Sequence, residues 1–85
     1  MSYRLLLSKP AVKALRELTS SVNFRVAAAI DGLRDEPRPQ GCKKLQGTEE
    51  LWRIRIGDYR VLYAIDDAIR IVDVRRIGHR GDVYR

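Results

Sequence analysis

The chain has 85 residues, which is enough for one small domain spanning residues 1–85 and too short for a second hydrophobic core. Hydrophobic residues make up 45% of the sequence and charged residues 33%, a balance that excludes a disordered chain. Seventeen Lys and Arg against eleven Asp and Glu give a net charge of +6. This excess favours a polyanionic partner, either nucleic acid or an acidic protein.

The sequence contains one cysteine, Cys42, and one histidine, His79, so it cannot form an internal disulfide. A zinc site with the usual ligand spacing is not expected, and no Gly-rich phosphate loop is present, so we expect neither a metal nor a cofactor. The first residues lack the apolar stretch of a secretory signal, and no segment approaches the roughly 20 apolar residues that span a bilayer. We therefore expect a soluble, cytoplasmic protein with no membrane partner.

The first half of the chain predicts one strand and two helices. Residues 3–7, "YRLLL", form a short apolar run that predicts the first strand. Ser8 can cap a helix that tolerates Pro10 in its first turn and is expected to end near Thr19. Apolar residues recur at helical spacing from 22 to 33, and the proline-containing segment 35–41 ends this second helix. The two helices form an α-hairpin with a very short link.

From residue 51 the apolar period changes from helical to two. In "LWRIRI" large apolar residues alternate with Arg53 and Arg55, so the arginines share one face of a strand. Gly57 and Asp58 predict a tight turn, after which Arg60 falls on the face of the other two arginines. A further apolar run at 68–77 predicts a central strand.

The predicted order is therefore β-α-α-β-β-β, in which the last three strands form an antiparallel meander. Helices on one face of such a sheet make an α+β sandwich of two layers. The other face, which receives Arg53, Arg55 and Arg60, has nothing in the sequence to cover it. A solvated face explains any single arginine, but three without an acid between them repel one another unless an anion binds there.

The last residues, "RRIGHRGDVYR", add groups suited to RNA cleavage. Attack by the RNA 2′-hydroxyl requires a base for that hydroxyl, cations for the phosphorane and an acid for the leaving 5′-oxygen. Arg80 can hold a phosphate bidentately, and nearby cations favour the phenolate form of Tyr84, which can then act as a base. Taken alone, Tyr84 is more typical of a packing residue and His79 of a surface histidine.

The stretches "LWRIRIGDYRVLYAIDD" and "VRRIGHRGDVYR" resemble the RelE family of bacterial and archaeal type II toxins, within the RelE/ParE superfamily. The resemblance extends over essentially the whole chain. It implies a ribosome-dependent endoribonuclease that cleaves mRNA in the A site and inhibits translation. It also implies catalytic roles for Arg60, Arg80 and Tyr84. It implies that Arg53, Arg55 and His79 bind RNA or phosphate.

The resemblance implies two partners, a cognate antitoxin and the ribosome with mRNA in its A site. Operator DNA would be reached only indirectly, through the antitoxin. Two alternatives stay open at this stage. One is a ParE-like poison of DNA gyrase, which shares the fold and needs no nuclease residues. The other is a non-catalytic, toxin-derived module that binds RNA or antitoxin.

Overall fold

The computed structural model describes residues 2–47 and 50–79, which form five strands and two helices. The elements in chain order are β1 (Arg4–Leu7), α1 (Lys9–Arg16), α2 (Ser20–Gly32), β2 (Lys43–Lys44), β3 (Trp52–Ile56), β4 (Tyr59–Asp66) and β5 (Ile71–His79). The sheet order is β1-β5-β4-β3-β2, with β1 parallel to β5 and all other neighbours antiparallel. Neither α1 nor α2, the helices of the described part, is long and apolar enough to cross a membrane.

The core lies between the two helices and one face of the sheet, so the predicted α+β fold is confirmed. The helices contribute Ala11, Val26 and Ile30, the C-cap of α2 contributes Leu33, and the strands contribute Ile54, Val61, Tyr63, Val72, Val74 and Ile77. The meander of β3, β4 and β5 is confirmed as well. Strand β2 was not predicted, because two lysines carry no apolar alternation from which a strand could be inferred.

Each helix of the α-hairpin begins after an N-cap residue, Ser8 for α1 and Thr19 for α2. Ser8 is the N-cap of α1, and its Oγ accepts a hydrogen bond from the amide of Ala11 at 3.1 Å. Helix α1 ends at Arg16, earlier than the expected end near Thr19. Thr19 has an extended backbone because it is the N-cap of α2, and an extended residue cannot continue the first helix.

A β-bulge in β5 decides which of its residues face the core. Pairing with β4 changes from Leu62 opposite Arg76 to Tyr63 opposite Val74, so Arg75 is an additional residue on β5. In a regular strand without a bulge, strict alternation from Val74 through Arg75 would turn Arg76 toward the helices. With it, Ile77 is buried in the core and Arg76 lies on the opposite face.

The bulge is also anchored to the helix cap. The hydroxyl of Ser8 donates to the carbonyl oxygen of Arg75 at 2.7 Å, while the amide of Ser8 donates to the carbonyl of Val74 at 2.9 Å. One serine therefore caps α1 and satisfies the bulge carbonyl. This fixes the start of the α-hairpin against the central strand.

Candidate functional site

The sheet face opposite the helices collects the predicted strand arginines. Arg55 on β3 lies directly opposite Arg60 on β4 across the turn at Gly57, whose φ is 59°. Arg53 lies opposite Leu62, one alternation further along the same strands. Side chains that are directly opposite have Cβ atoms about 4.5–5.5 Å apart, so the three arginines come together on one face.

Two of these arginines are buried, which distinguishes them from an ordinary solvated face. Arg53 is 7% exposed and Arg60 is 6% exposed, whereas Arg55 is exposed. Terminal nitrogen Nη1 of Arg60 makes a long contact of 3.4 Å to the carbonyl of Tyr59, and its Nε is buried with no hydrogen-bond partner in the described part of the chain. A buried cation with an unused donor costs stability unless an anion completes its bonding. Arg60 therefore has the properties of an anion-binding residue.

Two further cations lie beside these arginines on the same face and were missed in the sequence. Lys43 on β2 lies opposite Arg53, and Arg76 on β5 lies opposite Leu62. Lys43 was missed because β2 is only two residues long, and Arg76 because the bulge reverses the alternation of β5. We call the set Lys43, Arg53, Arg55, Arg60 and Arg76 the basic face.

His79 is not brought together with the arginines. It lies opposite Tyr59, and its ring packs edge-on against the Tyr59 ring at 5.4 Å and 88°. The preceding residue, Gly78, is the one that lies opposite Arg60. Successive strand residues alternate between faces, so His79 has the register of the helix side. Arg80 and Tyr84, the other predicted site residues, lie outside the described residues.

The rest of this sheet face is mixed, with an apolar centre. Leu6, Ala64, Ile69 and Ile71 line a hollow of about 340 Å³, which we call the apolar hollow. Asp73 at its edge pairs with Arg75 at 2.8 Å. On the open face the basic face therefore lies over β2 to β5, and the apolar hollow lies at the other ends of β4 and β5, next to β1, where Arg4 is also found.

Comparison with known proteins identifies the family. The family model described as the ParE toxin of the type II toxin-antitoxin system parDE matches residues 5–84. A putative toxin RelE1 of Methanocaldococcus jannaschii is 31% identical over 88 residues, covering 100% of this chain and 98% of the relative.

Solved structures agree with the sequence matches. The archaeal RelE–RelB complex from Pyrococcus horikoshii contains a chain that is 34% identical, with a TM-score of 0.84 over 98% of this chain and 100% of that one. The toxin–antitoxin complex RelBE2 from Mycobacterium tuberculosis contains a chain that is 28% identical, with a TM-score of 0.82 over 94% of this chain and 100% of that one. The likeness extends over nearly the whole length of both chains.

Proposed function

The chain belongs to the RelE family of type II toxins, within the RelE/ParE superfamily, and we propose that it inhibits translation as an endoribonuclease that cleaves mRNA in the ribosomal A site. The observation that carries this proposal is the buried Arg60 with an unpartnered Nε, beside Arg55 and Arg53. Attack of a 2′-hydroxyl on phosphorus builds negative charge on the phosphorane oxygens. Cations fixed in a partly buried site stabilise that charge more strongly than cations in water.

In this proposal each residue has a separate role in one reaction. Arg60 contacts the scissile phosphate, and Arg53 and Arg55 hold its non-bridging oxygens. Arginine is a poor proton carrier, so these three bind charge and transfer no proton. Tyr84 takes the proton from the 2′-hydroxyl, the 2′-oxygen bonds to phosphorus, and the bond between phosphorus and the 5′-oxygen breaks. The departing 5′-oxygen takes a proton from water, while Arg80 stabilises its negative charge. The roles of Tyr84 and Arg80 rest on the sequence resemblance.

The remaining parts of the proposal follow from this reaction. Transfer to the 2′-oxygen requires no metal ion or cofactor, because the attacking nucleophile belongs to the RNA. The RNA-binding role of His79 rests on the resemblance alone, and its register on the helix side of β5 separates it from the arginine cluster. A ribosomal target requires a cytoplasmic protein.

A cognate antitoxin is the second proposed partner. Relatives of this chain have been crystallised as complexes of RelE with RelB. The apolar hollow offers two of the large apolar side chains that are exposed in the described part, Leu6 at 43% and Ile69 at 65%. An antitoxin segment with apolar and acidic side chains can cover the hollow and the basic face together. Operator DNA is then reached only through the antitoxin.

Primer extension on a reporter mRNA tests the nuclease proposal. Induced wild-type protein should arrest growth and produce new cuts within codons at the ribosomal A site. Arg60→Ala should abolish both, whereas Arg16→Ala, which removes an exposed arginine from α1, should abolish neither. Growth arrest by the wild type on fully intact mRNA would refute the proposal.

A ParE-like activity against DNA gyrase is the alternative, and the description of the matching family model as a ParE toxin favours it. Under this alternative the basic face contacts a protein surface, and Arg60 performs no chemistry. Induction would then cause double-strand DNA breaks and an SOS response while the mRNA stays intact.

A further inference from the structure

Strand β3 has a free backbone edge beyond the end of its pairing with β2. Ile56 and Tyr59 flank a two-residue turn, which makes them a hydrogen-bonded pair, and bonded and non-bonded pairs alternate along an antiparallel ladder. Arg55 therefore directs its backbone N–H and C=O away from β4, as Leu51 does when its carbonyl accepts from the amide of Leu45 at 2.7 Å. Strand β2 is two residues long and does not reach Arg55, so these backbone groups have no partner in the described part of the chain.

A cavity of about 420 Å³ lies beside this free edge, between α2 and β3. Its lining is largely apolar and includes Leu33, Pro39 and Ile54. The segment before β2 turns away from β3 at Gly41, whose φ is 92°, and this leaves the cavity open. A Cβ added at Gly32 or Gly41 would meet no atom within 4 Å, so both glycines border free space.

The unpaired N–H and C=O of Arg55 require a ligand with one acceptor and one donor at matching spacing. The backbone of an extended peptide supplies both and pairs as an added strand, whereas the phosphates of a nucleic acid supply acceptors only. The guanidinium of Arg55 is exposed and has no ion pair within the described residues, so it attracts a carboxylate. These features together select an acidic peptide.

Strand alternation specifies the sequence of such a peptide. The residue opposite Arg55 places its side chain on the same sheet face as the guanidinium, where a carboxylate forms an ion pair. Its neighbours in the peptide point to the helix side, beside Ile54, where the cavity accepts apolar side chains. The expected ligand therefore has the pattern apolar–acidic–apolar.

We propose that this edge site, formed by Arg55 and the adjoining cavity, binds an extended acidic peptide as an additional strand on β3. The peptide exchanges two backbone hydrogen bonds with Arg55, pairs a carboxylate with its guanidinium and places an apolar side chain in the cavity. The apolar hollow lies elsewhere, over β4 and β5, so the two surfaces are separate. The inference goes beyond the proposed nuclease function and does not depend on cleavage.

An NMR titration of the isotope-labelled full chain tests the edge site without relying on activity. The probe is the synthetic peptide acetyl-Ser-Val-Glu-Val-Ser-amide. It should give saturable amide shifts that are largest around Arg55 and Gly41, and it should slow amide hydrogen exchange at Arg55. Replacing the Glu of the peptide by Gln should weaken binding about 3- to 10-fold, since a charge-assisted bond becomes a neutral one. N-methylation of the same Glu, which removes its backbone donor to Arg55, should weaken binding about 10-fold.

Substitutions in α2 supply the matched protein variants. Gly32→Leu fills the cavity and should weaken peptide binding about 10-fold, whereas Ala28→Leu, one turn earlier on the exposed surface of α2, should leave it unchanged. Equal binding of the modified and unmodified peptides would overturn the inference, as would amide shifts centred on Leu6 and Ile69 of the apolar hollow. Saturable peptide binding by a wild type that cleaves no mRNA would overturn the nuclease proposal alone. Cleavage by a wild type that does not bind the peptide would overturn only the edge site.

Discussion

Strand β4 contains two buried polar side chains, Tyr63 and Arg60, that differ in whether their polar atoms are hydrogen-bonded. Tyr63 faces the helices, is fully buried, and donates from its hydroxyl to the carbonyl of Pro37 at 2.7 Å. Arg60 faces the other side of the sheet, is 6% exposed, and has a buried Nε with no hydrogen-bond partner in the described part. The hydroxyl of Tyr63 is thus hydrogen-bonded on the helix side of β4, whereas the guanidinium of Arg60 has an unused donor on the opposite side.

We expect this difference to separate a stabilising residue from a binding residue within the eight residues of β4. A buried polar group that is fully bonded contributes to the native state, whereas a buried charge with an unused donor opposes it. Tyr63 fixes the segment between α2 and β2 against the sheet. The buried charge of Arg60 should oppose folding, which agrees with its proposed role in binding an anion.

The largest expected effect comes from Arg60→Met, which removes the charge and keeps an unbranched apolar side chain. Cleavage should fall about 100- to 1000-fold, because a preorganised donor to the transition state is lost. The free energy of unfolding should be unchanged or higher, because a buried charge is replaced by an apolar group. Urea denaturation and ribosomal cleavage on the same preparation measure both quantities.

Arg60→Lys provides the matched control, since it keeps the charge but cannot bind a phosphate bidentately. Its cleavage rate should lie between the wild type and Arg60→Met. A loss of stability in Arg60→Met as large as that of a core substitution would contradict the contrast with Tyr63, because Arg60 would then be a structural residue.

The pairing of the strand arginines could be predicted from the sequence because it depends on local chemistry. Period-two alternation in β3 and a two-residue turn at Gly57 determine that Arg55 meets Arg60. The burial of Arg53 and Arg60 could not be predicted, since alternation specifies a face and not its accessibility. The strand–hairpin–meander order was predictable for the same local reasons.

Features that depend on long-range contacts could not be predicted. The bulge at Arg75 places Arg76 on the basic face, and its carbonyl is satisfied by Ser8, 67 residues away in sequence. The pairing of Lys43 with Arg53 likewise requires a strand too short to leave a pattern. The basic face was therefore underestimated at its two ends.

Tyr63→Phe should give the second largest effect, and it tests the hydrogen-bonded residue of the comparison. The carbonyl of Pro37 would lose its donor in a buried environment, which should cost about 1–3 kcal/mol of unfolding free energy. Ribosomal cleavage should be unchanged, because the hydroxyl lies on the helix side of the sheet. A loss of cleavage without a loss of stability would contradict the assignment of Tyr63 to stability and of the opposite sheet face to cleavage.

Alkaline pH should also lower the free energy of unfolding through the buried hydroxyl of Tyr63, by less than the Tyr63→Phe substitution does. Burial, and secondarily contact with Cys42, raises the pKa of Tyr63 above its ordinary value of 10.0. The folded state therefore favours the neutral phenol, and its contribution to stability is full below pH 10.0 and lost as the pH rises above that value. Urea midpoints between pH 8 and 11 should fall more steeply for the wild type than for Tyr63→Phe. Parallel curves would show that Tyr63 titrates equally in both states.

The smallest effect is expected at Asp67, just beyond β4, whose carboxylate is hydrogen-bonded but exposed to solvent. Its carboxylate accepts hydrogen bonds from Arg38 at 2.9 Å and from Tyr3 at 2.7 Å, and these bonds lower the pKa of Asp67 below its ordinary value of 3.8. Folding thus favours the ionised form, whose stabilisation is present above pH 3.8 and lost as the pH falls below it.

Asp67→Asn should therefore lower Tm slightly at pH 7, and the difference from the wild type should shrink toward pH 3. Added salt should shrink it as well, because exposed charges are screened. Asp58→Asn, which removes an exposed aspartate from the β3–β4 turn, is the matched control for the change in net charge. A difference at Asp67 that persists at pH 3 and in high salt would assign the effect to packing. A difference that shrinks as expected would show that complete bonding stabilises the chain at the exposed end of β4 as it does at Tyr63, with Arg60 the one incompletely bonded position of the three.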